Sequence, residues 1–167
     1  RDFFAASFRS YQALSIVRSR SIACWNSISA GRLASRSTGE WLRHSRGASV
    51  IRFAIPEPAT TANILAAYEQ QLKAAPARLK LLLVTHLSNR TGIVMPVKEI
   101  VAMARARGVD TIVDAAQTIG HLHYTLADLD ADFVGFSLHK WLCAPIGSGA
   151  IWIRPSRLAD IEPCMGS

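Results

Sequence analysis

An α/β fold built on a mostly parallel, doubly wound sheet follows from two features of this sequence. From about residue 48 onward, stretches with strand character alternate with stretches of helical period. One of the strand-like stretches, Leu79-Lys-Leu-Leu-Leu-Val-Thr85, is almost continuously apolar. Alternation of this kind sets strands side by side with crossover helices between them, and a near-continuous apolar run marks a strand covered on both faces. The chain has 167 residues, half of them hydrophobic, and a mean hydropathy of +0.18, enough for one domain with a real core.

The elements follow in order. Glu40 to His44 reads as a helix end stopped at Gly47, and Ala48 to Phe53 as a short strand. Pro56 and Pro58 break the chain, and Thr60 or Thr61 caps a helix to about Lys73 with Ile64, Leu65, Tyr68 and Leu72 on one face. After the Leu79–Thr85 strand and a polar loop, Pro96 opens a helix to about Arg107, with Val97, Ile100, Val101 and Ala104 inward and Gly108 as its stop. Val109 to Asp114 is the next strand, Leu126 to Leu129 a single helical turn, and Asp132 to Ser137 and Ala150 to Arg154 are further strands. Crossovers between parallel strands should be right-handed.

Charge is distributed unevenly. The formal net charge is +7, but residues 1–50 hold eight arginines against two acids, which leaves the remainder close to neutral. A basic surface for nucleic acid is therefore not expected on residues 51–167, nor is a membrane span, because no apolar run approaches about 18 residues. Residues 1–39 are Ser- and Arg-rich without lysine and sustain neither a helical nor a strand period. Three readings of that segment stand side by side: a transit-type leader, a basic arm, or a stretch altered by a reading-frame error. Cys24, Cys143 and Cys164 have neither metal-ligand nor disulfide-framework spacing, so free thiols in a cytoplasmic protein are expected.

Chemistry concentrates between Asp132 and Gly149. A β-rich run, Phe133 to Phe136, leads to Ser137, His139 and Lys140, and a Pro/Gly loop follows. A desolvated lysine amine is easier to deprotonate, as bonding to an aldehyde requires; the plain alternative is a lysine reaching into solvent. Asp114 ends another apolar strand, where open α/β sheets hold ligands, with Gln117 three residues on. The plain alternative for Asp114 is a turn cap. His121 and His123 lack a third metal ligand, and His44, His86, His121 and His123 are read as structural, with His86 kept in view beside the Asn89 loop.

The three motifs Thr85-His-Leu-Ser-Asn-Arg-Thr-Gly92, Val113-Asp-Ala-Ala-Gln117 and Ser137-Leu-His-Lys-Trp-Leu-Cys-Ala-Pro145 resemble, in order and separation, the class V aminotransferase family of pyridoxal-phosphate (PLP) enzymes. That family includes cysteine desulfurases and isopenicillin N epimerase. The resemblance runs from about Glu40 to the C-terminus and implies a truncated part of a three-layer, fold type I large domain over residues 40–167. It implies Lys140 as the Schiff-base lysine and proton shuttle, Asp114 as partner of the pyridine nitrogen, Gln117 and Asn89 as contacts to the phenolic oxygen, and Ser137 and His139 as phosphate contacts. It further implies pyridoxal 5'-phosphate, an amino-acid-like substrate reacting at its α-carbon, and a homodimer. It does not decide between epimerisation, transamination and lyase chemistry. The family's early phosphate loop, its ring-stacking residue and its substrate-carboxylate arginine have no counterpart here, so a non-catalytic α/β fragment without cofactor is the alternative. The short Gly147-Ser-Gly149 run is no dinucleotide fingerprint.

Overall fold

The computed structural model describes the backbone of residues 11–16 and 49–161, and side chains from residue 51 to residue 161. Among these described residues six strands form one sheet: β1 (Tyr11–Ile16), β2 (Ser49–Ala54), β3 (Leu81–Thr85), β4 (Asp110–Asp114), β5 (Phe133–Ser137) and β6 (Gly149–Ile153). Their spatial order is β2-β1-β3-β4-β5-β6. The pairs β3–β4 and β4–β5 are parallel, while β1 and β6 run antiparallel to their neighbours. Four strands thus point one way and two the other.

Among the described residues two α-helices separate the strands, α1 (Thr61–Ala74) and α2 (Val97–Arg105). Thr60 caps α1 by accepting the N–H of Asn63 at 3.2 Å, which satisfies one of the free donors of the first turn. Ile64, Tyr68 and Leu72 recur at intervals of four and are buried, so one stripe of α1 faces the sheet. The last turn of α2 leads into Gly108 at φ +65°, a conformation that a side chain would strain.

Alternation along the strands sorts the core into two sides. Leu82, Val84, Val113 and Val134 pack in one cluster with the buried residues of both helices. Leu83, Ile112 and Phe133 form a smaller cluster on the opposite face, backed by Ile151, Ile153 and Ile161. Among the described residues, both helices lie on one side of the sheet. The sequence expectation of helices on both faces is met there on one face only. Tyr68 meets Phe53 edge-on at 5.0 Å between ring centroids, but its hydroxyl is buried without a partner, and burial pushes the phenol's pKa well up.

The strand boundaries read from the sequence hold to within two residues from Ser49 onward. β1 departs from the expectation, because it lies inside residues 1–39, where no period is sustained, and joins the same sheet as β2 and β3. Its partners are residues 49–54 and 81–83, and pairing so distant leaves no local pattern to read. The helix end expected over Glu40–His44 lies outside the described residues. No helix among them is long and apolar enough to cross a membrane.

Candidate functional site

The carboxyl ends of β4 and β5 bring the chemistry together. Asp114 is the last residue of β4 and Ser137 the last of β5, and Asp114 stands opposite Gly135 in the parallel register. Both alternate onto the side of Ile112 and Phe133, away from the helices. Asp114 is 9% exposed and accepts the backbone N–H of Ala116 at 3.0 Å on Oδ1. Burial pushes its carboxyl up to about 6, against the pull of the Ala116 N–H and the positive charge of Lys140. Lys140 is half-buried, and no ion pair or hydrogen bond engages its ammonium among the described residues. Ser137 Oγ is buried and has no hydrogen-bond partner.

Lys140 rides on the connection between β5 and β6, which pair from Ser137↔Gly149 onward. That loop is cross-braced. Leu138 N–H donates to Ser148 O at 3.1 Å, Ala144 N–H to Leu138 O at 3.1 Å, and Cys143 N–H to Lys140 O at 3.1 Å. His139 is tied in as well: its Nδ1 lies 2.8 Å from the Ser148 carbonyl. A carbonyl only accepts, so Nδ1 carries the proton and Nε2 is the nitrogen left over. Cys143 is exposed, with a positive φ of 54°.

Gln117 lies on the turn after β4. Its Oε1 accepts the indole N–H of Trp141 at 3.2 Å, and its backbone carbonyl accepts from His121 Nδ1 at 3.1 Å. The rings of His121 and Trp141 stack, with centroids 4.2 Å apart and planes 23° apart. Asn89 is exposed on a tight turn after β3, where Ser88 Oγ accepts the N–H groups of Arg90 and Thr91 and Leu87 bridges Val94. The structure therefore gathers Asp114, Ser137, His139 and Lys140 around two strand ends and links Gln117 to the residue after the lysine. No hydrogen bond of the Asn89 side chain to those five occurs among the described residues.

Sequence reasoning passed over Trp141, and read His121 as structural, yet the two hold Gln117 on both its main-chain and side-chain oxygens. The tie spans 24 positions between two loops, so the only local signal was the Trp beside the lysine. His86, at the end of β3, is 7% exposed, meets Tyr124 edge-on at 5.0 Å, and has Nδ1 buried without a partner. Burial pushes its pKa down to about 4, so it stays neutral. It lines a cavity of about 500 Å³ with Met95, Lys98, His123 and Asp128 on the helix side of the sheet, and none of the six cofactor candidates borders that cavity. No cluster of three metal-type ligands occurs among the described residues.

An open α/β sheet with an unpaired lysine and a buried carboxylate at the carboxyl ends of its parallel strands has the build of a cofactor-binding domain. Its sequence matches the family Aminotransferase class-V over residues 37–167, and the chain belongs to that family. It is 38% identical over 126 residues to isopenicillin N epimerase of Streptomyces clavuligerus, covering 74% of this chain and 31% of that protein. Among solved structures it superposes on the apo cysteine desulfurase of Thermococcus onnurineus NA1 with a TM-score of 0.53 at 36% identity, over 59% of this chain and 24% of that one. It also superposes on the cystine C-S lyase C-DES, in a variant with glycine covalently linked to its PLP cofactor, with a TM-score of 0.54 at 30% identity, over 59% and 26% of the two chains. The chain thus spans under a third of the length of these relatives.

Proposed function

We propose that this chain is the lysine-bearing part of a PLP enzyme acting at the α-carbon of an amino-acid-like substrate, with Lys140 bonding the cofactor's aldehyde. One observation carries the reading: a half-buried ammonium without a partner stands within electrostatic reach of a buried carboxylate at the strand ends. The donor set fits the group. Ser137 Oγ is an orphaned hydroxyl at a strand end, suited to a phosphate oxygen, and Asp114 is a buried acceptor suited to a ring N–H.

Bound pyridoxal phosphate supplies an electron sink for charge developing at the substrate's α-carbon. The remaining work belongs to the chain. Lys140 Nζ would hold the aldehyde as the neutral amine, and its tether to the loop would keep it where it can hold or return the proton of the substrate's α-carbon. Asp114, only partly ionised near pH 6 by itself, is drawn to full ionisation by a cationic N–H placed against it. Ser137 would donate to the phosphate. His139, whose Nδ1 is committed to Ser148, would turn Nε2 toward it. Gln117 and Asn89 offer carboxamide donors to the phenolic oxygen without transferring a proton to it.

Epimerisation, transamination and carbon–sulfur cleavage all draw on this arrangement; the relatives named above span epimerase and sulfur chemistry. The working assembly in this reading is a homodimer. Trp141, Leu142 and Ile146 on the Lys140 loop, 50%, 48% and 98% exposed, are the apolar surface a second copy would cover. The test is to mix the chain with PLP, reduce with borohydride and map the modified peptides. Mass added at Lys140 alone, and lost in Lys140→Ala, is expected. Labelling scattered over Lys73, Lys80 and Lys98, or none, would instead indicate a domain that keeps the fold without the cofactor chemistry.

A further inference from the structure

We propose that Trp141 is a positioning residue that fixes which end of the Gln117 carboxamide faces the cofactor, with Gly120 as the seat on which its loop rests. This goes one step beyond the proposed function and rests on Gln117 meeting the phenolic oxygen.

The orientation follows from the chemistry of the indole. An indole N–H can only donate, so the Gln117 atom 3.2 Å from it is the carbonyl oxygen, and the amide cannot be reversed without losing the bond. The amide –NH2 is then the free end, and it is the end that stabilises a phenolate. A Gln117 without this tie could present either its oxygen or its nitrogen. Presenting the oxygen would set two acceptors against each other.

A further contact holds the indole itself. Its ring stacks on His121 at 4.2 Å, and His121 Nδ1–H in turn donates to the main-chain carbonyl of Gln117 at 3.1 Å, so two stacked side chains both close onto one residue. Beneath them lies Gly120 at φ +76°. A Cβ there would fall 2.9 Å from Leu142 Cδ2 and 3.2 Å from the main-chain carbon of Trp141. The turn after β4 and the loop after Lys140 therefore meet at a point that admits no side chain. Because Trp141 follows Lys140 directly, the same contact locks the lysine's loop to the residue that faces the ring oxygen.

The test has two arms on the full chain. In the cofactor-free protein, a nuclear Overhauser contact between the Trp141 indole N–H and the Gln117 side chain is expected, and its absence overturns the proposal. In the PLP-loaded protein, the visible absorbance is titrated with pH. A weaker donor to the phenolic oxygen lets the lysine-linked chromophore keep its proton to higher pH. Trp141→Phe, which preserves the stacked ring and removes the N–H, should raise the midpoint by about half a unit to one unit. The same change in a Gln117→Ala background should add nothing, because Trp141 acts through Gln117. An unmoved midpoint, or an equal rise in the Gln117→Ala background, overturns the proposal. A wild-type chain that forms no adduct at Lys140 counts against the proposed function instead, and the contact arm alone then decides the role of Trp141.

Discussion

The two ends of the parallel strands treat charge in opposite ways. At the amino end, Asp110 receives both terminal nitrogens of Arg157 at 2.6 and 2.9 Å. Asp132, just before β5, accepts the N–H and the hydroxyl of Thr111 at 2.8 and 2.9 Å. Asp130 pairs with Arg105 and Arg154, which hold its carboxyl down to about 2. Arg157 also covers the ring of Phe133 at 5.5 Å from its centroid. At the carboxyl end the reverse holds. Ser137 Oγ and His86 Nδ1 are buried without partners, Lys140 has no ion pair among the described residues, and Asp114 is pushed up to about 6. A charge that is paired within the fold has its stabilisation already spent, whereas one left open near a lysine keeps it for a ligand. The amino end holds β4, β5 and β6 together, and the carboxyl end is kept costly.

The sharpest way to break this comparison is to damage each end and ask which property fails. Asp132→Ala leaves Thr111 without its acceptor and two guanidinium groups with one fewer carboxylate, so urea unfolding should show a loss of about 3 kcal/mol. At the other end the sign inverts. The folded Asp114 holds its proton up to about 6, against 3.8 for an ordinary carboxyl, so ionising it costs stability as pH rises through that window. Asp114→Asn should therefore stabilise the cofactor-free chain at neutral pH, by about 2 kcal/mol, while weakening its uptake of PLP. Equal destabilisation by both substitutions would erase the distinction.

His86 sharpens the contrast through pH. Its folded value of about 4 lies below the ordinary 6.5, so its contribution is present above 6.5 and is lost as pH falls toward 4. This slope opposes that of Asp114, and the two nearly cancel in the wild-type chain. Stability should then rise with pH between about 4 and about 6 in Asp114→Asn, and fall over the same range in His86→Phe, by about 1–2 kcal/mol in each case. Parallel curves in both variants would rule out the opposed pair. The smallest effect belongs to Arg105→Ala. Its pair with Asp130 is half exposed, so the loss should be about 0.5 kcal/mol and shrink with added salt.

Legibility in the sequence followed the range of the interactions. α1 and α2 could be read because Ile64, Tyr68, Leu72 and Val97, Ile100, Val101, Ala104 repeat within a turn or two. β3 to β5 could be read because an apolar run needs no partner to announce itself. β1 could not, since its place depends on strands 33 residues and more away. The same rule divided the site. Lys140, Asp114 and Ser137 are marked by standing at the ends of apolar strands. The tie from Trp141 to Gln117 joins two loops, and neither loop carries a period that points to the other.

The lysine's place also has a consequence for chain length. Residues 138–148 leave the sheet and return to it at the single rung Ser137↔Gly149. Closing a loop costs only about 0.6 kcal/mol more for each doubling of its length, so folding barely registers a few added residues there. The register of Lys140 does, since Leu138, His139 and Lys140 are tied across the loop to Ser148 and Cys143. Residues inserted between Cys143 and Ser148 would cost little in closure entropy but would disturb the ties from Leu138 and His139 to Ser148, so the amine would lose its fixed place relative to Asp114. In the proposed reading, the length of this loop is thus held by those ties and by the place of the amine, and hardly by the entropy of closing it.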